Sequence, residues 1–149
     1  MKGLLQELRN ALEKQLEWLE YSNRQARSLP NETSDWKEAH YDVMESLCAR
    51  FGRGIDFLVR KIFRALDDAE FQPQGTLLDT VHRAHQRKLF DQMDDIRQIK
   101  DLRNQIAHEY SEDVLTELFP EVIRVTPVLL QMMRNSLDYL DEHLAKIET

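Results

Sequence analysis

The chain has a single cysteine, Cys48, in 149 residues. One cysteine excludes an internal disulfide and fits a reducing cytosol. Glycine and proline are scarce, four of each, and these are the residues that punctuate turn-rich β folds. No run approaches the roughly 20 apolar residues of a membrane span. The opening MKGLLQELRN carries charge too early for a signal peptide. The expectation is one soluble domain over 1–149, in the cytoplasm, with no membrane partner. A core of this size needs neither metal nor disulfide to hold it.

Basic excess is also missing. The net charge is −7, so indiscriminate affinity for nucleic acid is not expected. The charge is uneven, however. From Arg50 to Tyr110 there are eleven Lys and Arg against ten Asp and Glu, while the two flanks hold nine against seventeen. The middle is close to neutral and leaves room for a local basic surface.

What the chain has in quantity is helical periodicity. Leu5, Leu8, Leu12, Leu16 and Leu19 recur at spacings of three and four and predict a helix over 4–27. SLPNETS breaks it, and Asp35 with Glu38 three later predicts the next start. Met44, Leu47, Phe51, Ile55, Leu58, Ile62 and Leu66 then form a long seam reaching Glu70. Gly52 and Gly54 inside it predict a kink or a close helix contact. Thr76 starts a short helix to about Gln86, and another runs from about Phe90 to Glu109 with Met93, Ile96, Ile99, Leu102 and Ile106 inward. Pro120 and Pro127 are expected to punctuate the chain beyond residue 113, before a last seam of Met133, Leu137, Leu140, Leu144 and Ile147. The predicted class is all-α, an antiparallel four-helix bundle with one or two short extra helices. The narrow seams also suit a helix-mediated dimer.

One stretch of the helix ending near Glu109, DLRNQIAHEY, carries chemistry. Arg103 and His108 lie about 140° apart around a helix and about 7.5 Å apart along it, so they are not neighbours. A curled arginine, a helix ending at this point, or a dimer cleft would bring them together. The pair suits phosphodiester cleavage. Histidine titrates near neutrality and can move a proton at a ribose 2′-hydroxyl. Arginine grips phosphate oxygens bidentately and stabilises charge growing on phosphorus. Asn104 can orient either partner, and the set requires no metal or cofactor. The opposing reading is structural: His108 bonds within an interface, and Arg103 pairs with Asp101 or Glu109. Arg-x4-His alone arises by chance about 0.4 times in such a chain, so the longer string is what counts.

That string, R-N-x3-H-x-Y from Arg103 to Tyr110, resembles the R-x4-H-x-Y motif of HepT toxins, of the HEPN superfamily of small helical ribonucleases. RFGRGIDFLVRKIFRAL, EFQPQGTLLD and LRNQIAHEY resemble the HepT layout in that order, and the resemblance spans roughly residues 35–145. It implies a homodimer with its active site between protomers. It also implies metal-independent RNA cleavage by 2′-hydroxyl attack, leaving a cyclic phosphate. Arg103 and His108 would be the catalytic pair, with Asn104 in support. Tyr110 matches the tyrosine that an MntA-type minimal nucleotidyltransferase antitoxin AMPylates, in a type VII toxin–antitoxin pair. The alternative is a non-catalytic module that docks to a nucleotidyltransferase and helps present its substrate. A plain dimeric scaffold is a third reading.

Other residues carry weaker signals. Arg50, Arg53, Arg60 and Arg64 share roughly one helical stripe and could track an RNA backbone, or else face solvent paired with Asp56, Asp67 and Asp68. His82 and His85 crowd the short helix with no third ligand in sequence, which favours a solvated or partner-facing helix over a metal site. His40 and His143 read as surface or core-edge residues. Cys48 reads as a small core residue, and Trp18 and Trp36 as packing residues.

Overall fold

A computed structural model describes residues 2–109 and 111–148. Helix α1 (Lys2–Arg27) is followed by a 3-10 turn (Thr33–Asp35) and α2 (Glu38–Phe57). A π turn (Leu58–Ile62) carries α2 directly into α3 (Phe63–Ala69). Then come α4 (Leu77–Gln86), α5 (Met93–His108) and α6 (Glu112–Glu148). The architecture is the all-α bundle: α1, the continuous α2–α3 rod, α5 and α6 are the long members, and α4 is the short one. Arg9 pairs with Asp141 at 2.7 Å, and Arg27 donates to the carbonyl of Ile123 at 3.3 Å, so α1 and α6 run antiparallel. No helix among the described residues is long and apolar enough to cross a membrane.

The seams lie where the periodicity puts them, except that Ile147, predicted inward at the end of the last seam, is 42% exposed. Leu5, Leu12, Leu16 and Leu19 are buried from α1, and all seven predicted residues of the second seam are buried. From α5, Ile96, Ile99 and Leu102 enter the core; from α6, Met133, Leu140 and Leu144 do. Cys48 is buried among them, as a small apolar residue would be. Trp36 is half-buried between Tyr41 and Phe119 and donates its indole N–H to the carbonyl of Pro30 at 2.7 Å. Trp18 departs from expectation. It is 46% exposed, because it sits one position off the buried stripe of Leu12, Leu16 and Leu19.

Three local features differ from the sequence reading, each for a physical reason. The second helix starts at Glu38, not Asp35, because His40 supplies the cap: its Nδ1 accepts the backbone N–H of Lys37 at 2.9 Å. Asp35 closes the 3-10 turn instead. Within the rod, the N–H of Phe63 reaches back to the carbonyl of Leu58, the i→i+5 bond of a π turn. The turn lets Leu58 with Val59, and Ile62 with Phe63, all face the core. Gly54 agrees with the expected helix contact: it lies against α6, where a Cβ would stand 3.5 Å from the Met133 sulfur, at ordinary contact distance. The last difference is that α6 passes unbroken through Pro120 and Pro127. Pro127 has no N–H for the carbonyl four residues back, which belongs to Ile123. Arg27 of α1 donates to that carbonyl in its place.

The helix ends around α4 set its position. Thr76 and Asp79 form a reciprocal capping box at 3.2 and 3.0 Å. Schellman turns close α3 and α4, with Phe71 at φ 58° and Lys88 at φ 65° in the left-handed position. Between α3, α4 and α6 lies a half-buried ionic cluster around the buried Asp67. Arg87 bonds Asp67 at 2.8 Å and Glu70 at 2.9 Å, Arg83 bonds Asp67 at 3.0 Å, and the Tyr139 hydroxyl donates to Glu70 at 2.6 Å.

Candidate functional site

Arg103 is set on α5 by its neighbours in the heptad-like pattern. Ile99 and Leu102 are buried, so Arg103 falls at the edge of the core on the side facing α2. Its stem lies over Gly52, where a Cβ would stand 3.7 Å from the arginine Cγ. Its head meets Asp56 one turn further along α2. A single oxygen of Asp56 accepts from Nη2 at 2.7 Å and from Nε at 3.2 Å. Both side chains are about one-third exposed, at 33% and 36%. Asp56 is thus the partner of Arg103, in place of the expected Asp101 or Glu109. Glu109 instead accepts the backbone N–H of Ser111 at 2.8 Å.

His108 is the last residue of α5 and is exposed. Glu109 behind it is extended, with φ −90° and ψ 124°, so the helix ends at the histidine. Arg103 and His108 stay separated along α5 by about 7.5 Å of rise. Within one chain, the guanidinium turns to Asp56 rather than toward the imidazole. Asn104 is exposed on another side of α5, in a groove floored by Leu77, Val81, Met93 and Ile96 of the α4–α5 junction. Tyr110 lies outside the described residues.

The four arginines of the long rod do not share one environment. Arg50 is drawn to α1, donating to Ser22 Oγ at 2.8 Å and the carbonyl of Trp18 at 3.4 Å, with its head 6.0 Å from the Tyr21 ring. Arg53 is exposed beside Trp18, Arg60 is exposed, and Arg64 is half-buried. The π turn between Arg53 and Arg64 rotates the second half of the rod relative to the first. Asp56 is taken by Arg103 of α5 and Asp67 by Arg83 and Arg87 at α4, so neither pairs with the arginines of its own rod.

On α4, the His85 ring nitrogen sits 2.9 Å from the carbonyl of Asp91, and the ring packs against Phe90, while His82 is exposed. Among the described residues no group of three His, Cys, Asp or Glu is gathered as a metal ion would need. Burial pushes the Cys48 thiol up to about 12, with the charge of Glu45 a smaller cause.

Asp56 is the residue that spacing along the chain does not reveal. No pattern around it in the sequence marks it, and the pairing arises only from the packing of α2 against α5. Compared with protein-family models, curated proteins and solved structures, the chain matches none.

Proposed function

We propose that this chain is a HepT-like toxin, a metal-independent endoribonuclease acting as a homodimer. The observation that carries the reading is the state of Arg103 and His108 on α5. The arginine is buttressed but one-third exposed, and the histidine stands in solvent at the helix end. Each is available to RNA, and a second copy supplies the missing proximity across a cleft between protomers. The imidazole of His108 takes the proton of the 2′-hydroxyl. The 2′-oxygen bonds to phosphorus, the bond from phosphorus to the 5′-oxygen breaks, and that oxygen takes up a proton. The products are a 2′,3′-cyclic phosphate and a 5′-hydroxyl. Arg103 holds the phosphoryl oxygens as charge builds on them, with Asn104 in support.

The partner in this reading is an MntA-type nucleotidyltransferase in the cytoplasm. The Tyr110 hydroxyl attacks the α-phosphate of a nucleoside triphosphate and pyrophosphate leaves. The added phosphate places negative charge and bulk two residues from His108, which repels RNA. Expression without the partner tests this reading. The wild-type chain arrests growth and His108→Ala does not. Harmless expression of wild type, with binding to a nucleotidyltransferase retained, would replace the toxin by the docking module.

A further inference from the structure

Arg103 has five N–H donors arranged on two usable edges. Asp56 occupies the side edge, formed by Nε and Nη2, with one oxygen. The end edge, formed by Nη1 and the outer N–H of Nη2, has no protein acceptor among the described residues. An arginine held by its side edge points its end edge outward as a fixed fork, and that fork matches two oxygens of a phosphate. The arginine stem crosses α2 at Gly52, where an added Cβ would stand in ordinary contact with it at 3.7 Å.

We infer that Asp56 is the positioning residue for Arg103, holding the guanidinium by its Nε edge so that the end edge receives the scissile phosphate of RNA. The inference rests on the ribonuclease reading for its substrate, but the placement of the arginine is independent of it. Asp56 acts through Arg103 and touches no substrate. It is neither a general base nor a lid. A competing carboxylate would have to leave when phosphate arrives, whereas a positioning carboxylate stays.

Two measurements test this. The first is the Nε–H resonance of Arg103 in 15N spectra, identified by its loss in Arg103→Lys. It is expected to be protected from solvent in wild type, to persist when a 2′-O-methyl oligoribonucleotide binds, and to lose protection in Asp56→Ala. Collapse of the resonance on oligonucleotide binding would make Asp56 a competitor and overturn the proposal. So would an Asp56→Ala spectrum unchanged from wild type.

The second is cleavage of an RNA oligonucleotide. In Asp56→Ala, kcat falls on the order of 10²-fold, as a displaced catalytic group would cause, while KM changes little. Asp56→Asn, whose amide oxygen can still accept from Nε, recovers part of the loss, and added formate restores Asp56→Ala but not Arg103→Ala. Asp56→Asn also serves if Asp56→Ala does not fold. Faster cleavage in either variant, or a loss that neither asparagine nor formate relieves, contradicts positioning. If wild type cuts no RNA, the ribonuclease reading fails by itself, and the spectra still decide whether Asp56 fixes Arg103.

Discussion

The guanidinium of Arg103 and the carboxylate of Asp56 meet at 2.7 Å across the contact of α5 with α2, at the edge of the core rather than inside it. Ion pairs this exposed contribute little to stability, because solvent screens the attraction and ordering two long side chains offsets it. Arg103→Ala should therefore lower unfolding stability by about 1 kcal/mol or less in urea denaturation. A substantially larger loss would mean that the pair holds the fold together, and any loss of activity in that variant would then be ambiguous.

The opposite holds for Arg87. Its side chain is 8% exposed and it neutralises both Asp67 and Glu70. Arg87→Met would leave Glu70 without its cation and Asp67 with Arg83 alone, and cost about 3 kcal/mol in urea denaturation. Tyr139 belongs to the same cluster, and its phenol is pushed up by burial and then by its bond to Glu70. The raised direction sets the sign. The neutral phenol is the stabilising form, so its contribution is complete below the ordinary tyrosine range and fades as pH rises through the folded-state value. Tyr139→Phe should flatten the alkaline limb of stability against pH. An alkaline limb as steep as that of wild type would remove Tyr139 from that role.

Phe71 is 94% exposed and holds a left-handed backbone at φ 58°. An L-residue other than glycine is strained there by about 1–2 kcal/mol, partly offset by glycine's extra freedom in the unfolded chain. Phe71→Gly should stabilise the isolated chain, by about 0.5–1 kcal/mol. Thermal denaturation reads this directly. Destabilisation would show that the ring is packed in solution.

Cys48 should behave as a reporter of unfolding. With the thiol buried and pushed up to about 12, little thiolate exists near pH 8. Iodoacetamide should label it slowly in buffer and rapidly past the denaturation midpoint. Fast labelling of the native protein would mean that α2 opens locally.

Much of this architecture is legible in the sequence because period is a strong signal. The seam from Met44 to Leu66 and the stripe of Leu5, Leu12, Leu16 and Leu19 determine which faces turn inward. Thr76 is readable as a cap because threonine accepts from the third residue of the helix. His40 is not, since histidine is outside the usual capping set. Pro127 looks like a break in the sequence because its compensating donor, Arg27, comes from another helix. The π turn leaves no mark, as Leu58 through Phe63 carry enough apolar residues for either register. Arg103, Asn104 and His108 can be chosen from their own helix, but Asp56 lies 47 residues from Arg103 and enters only through packing.

Cleavage of RNA by Arg103 and His108 without a metal is the property on which the proposed function stands. Purified protein with Tyr110 unmodified by mass, incubated with total RNA in EDTA beside His108→Ala, tests it most directly. Wild type should cut and leave cyclic phosphate ends, and the variant should not. RNA left intact by wild type, or cut equally well by His108→Ala, would contradict the ribonuclease reading.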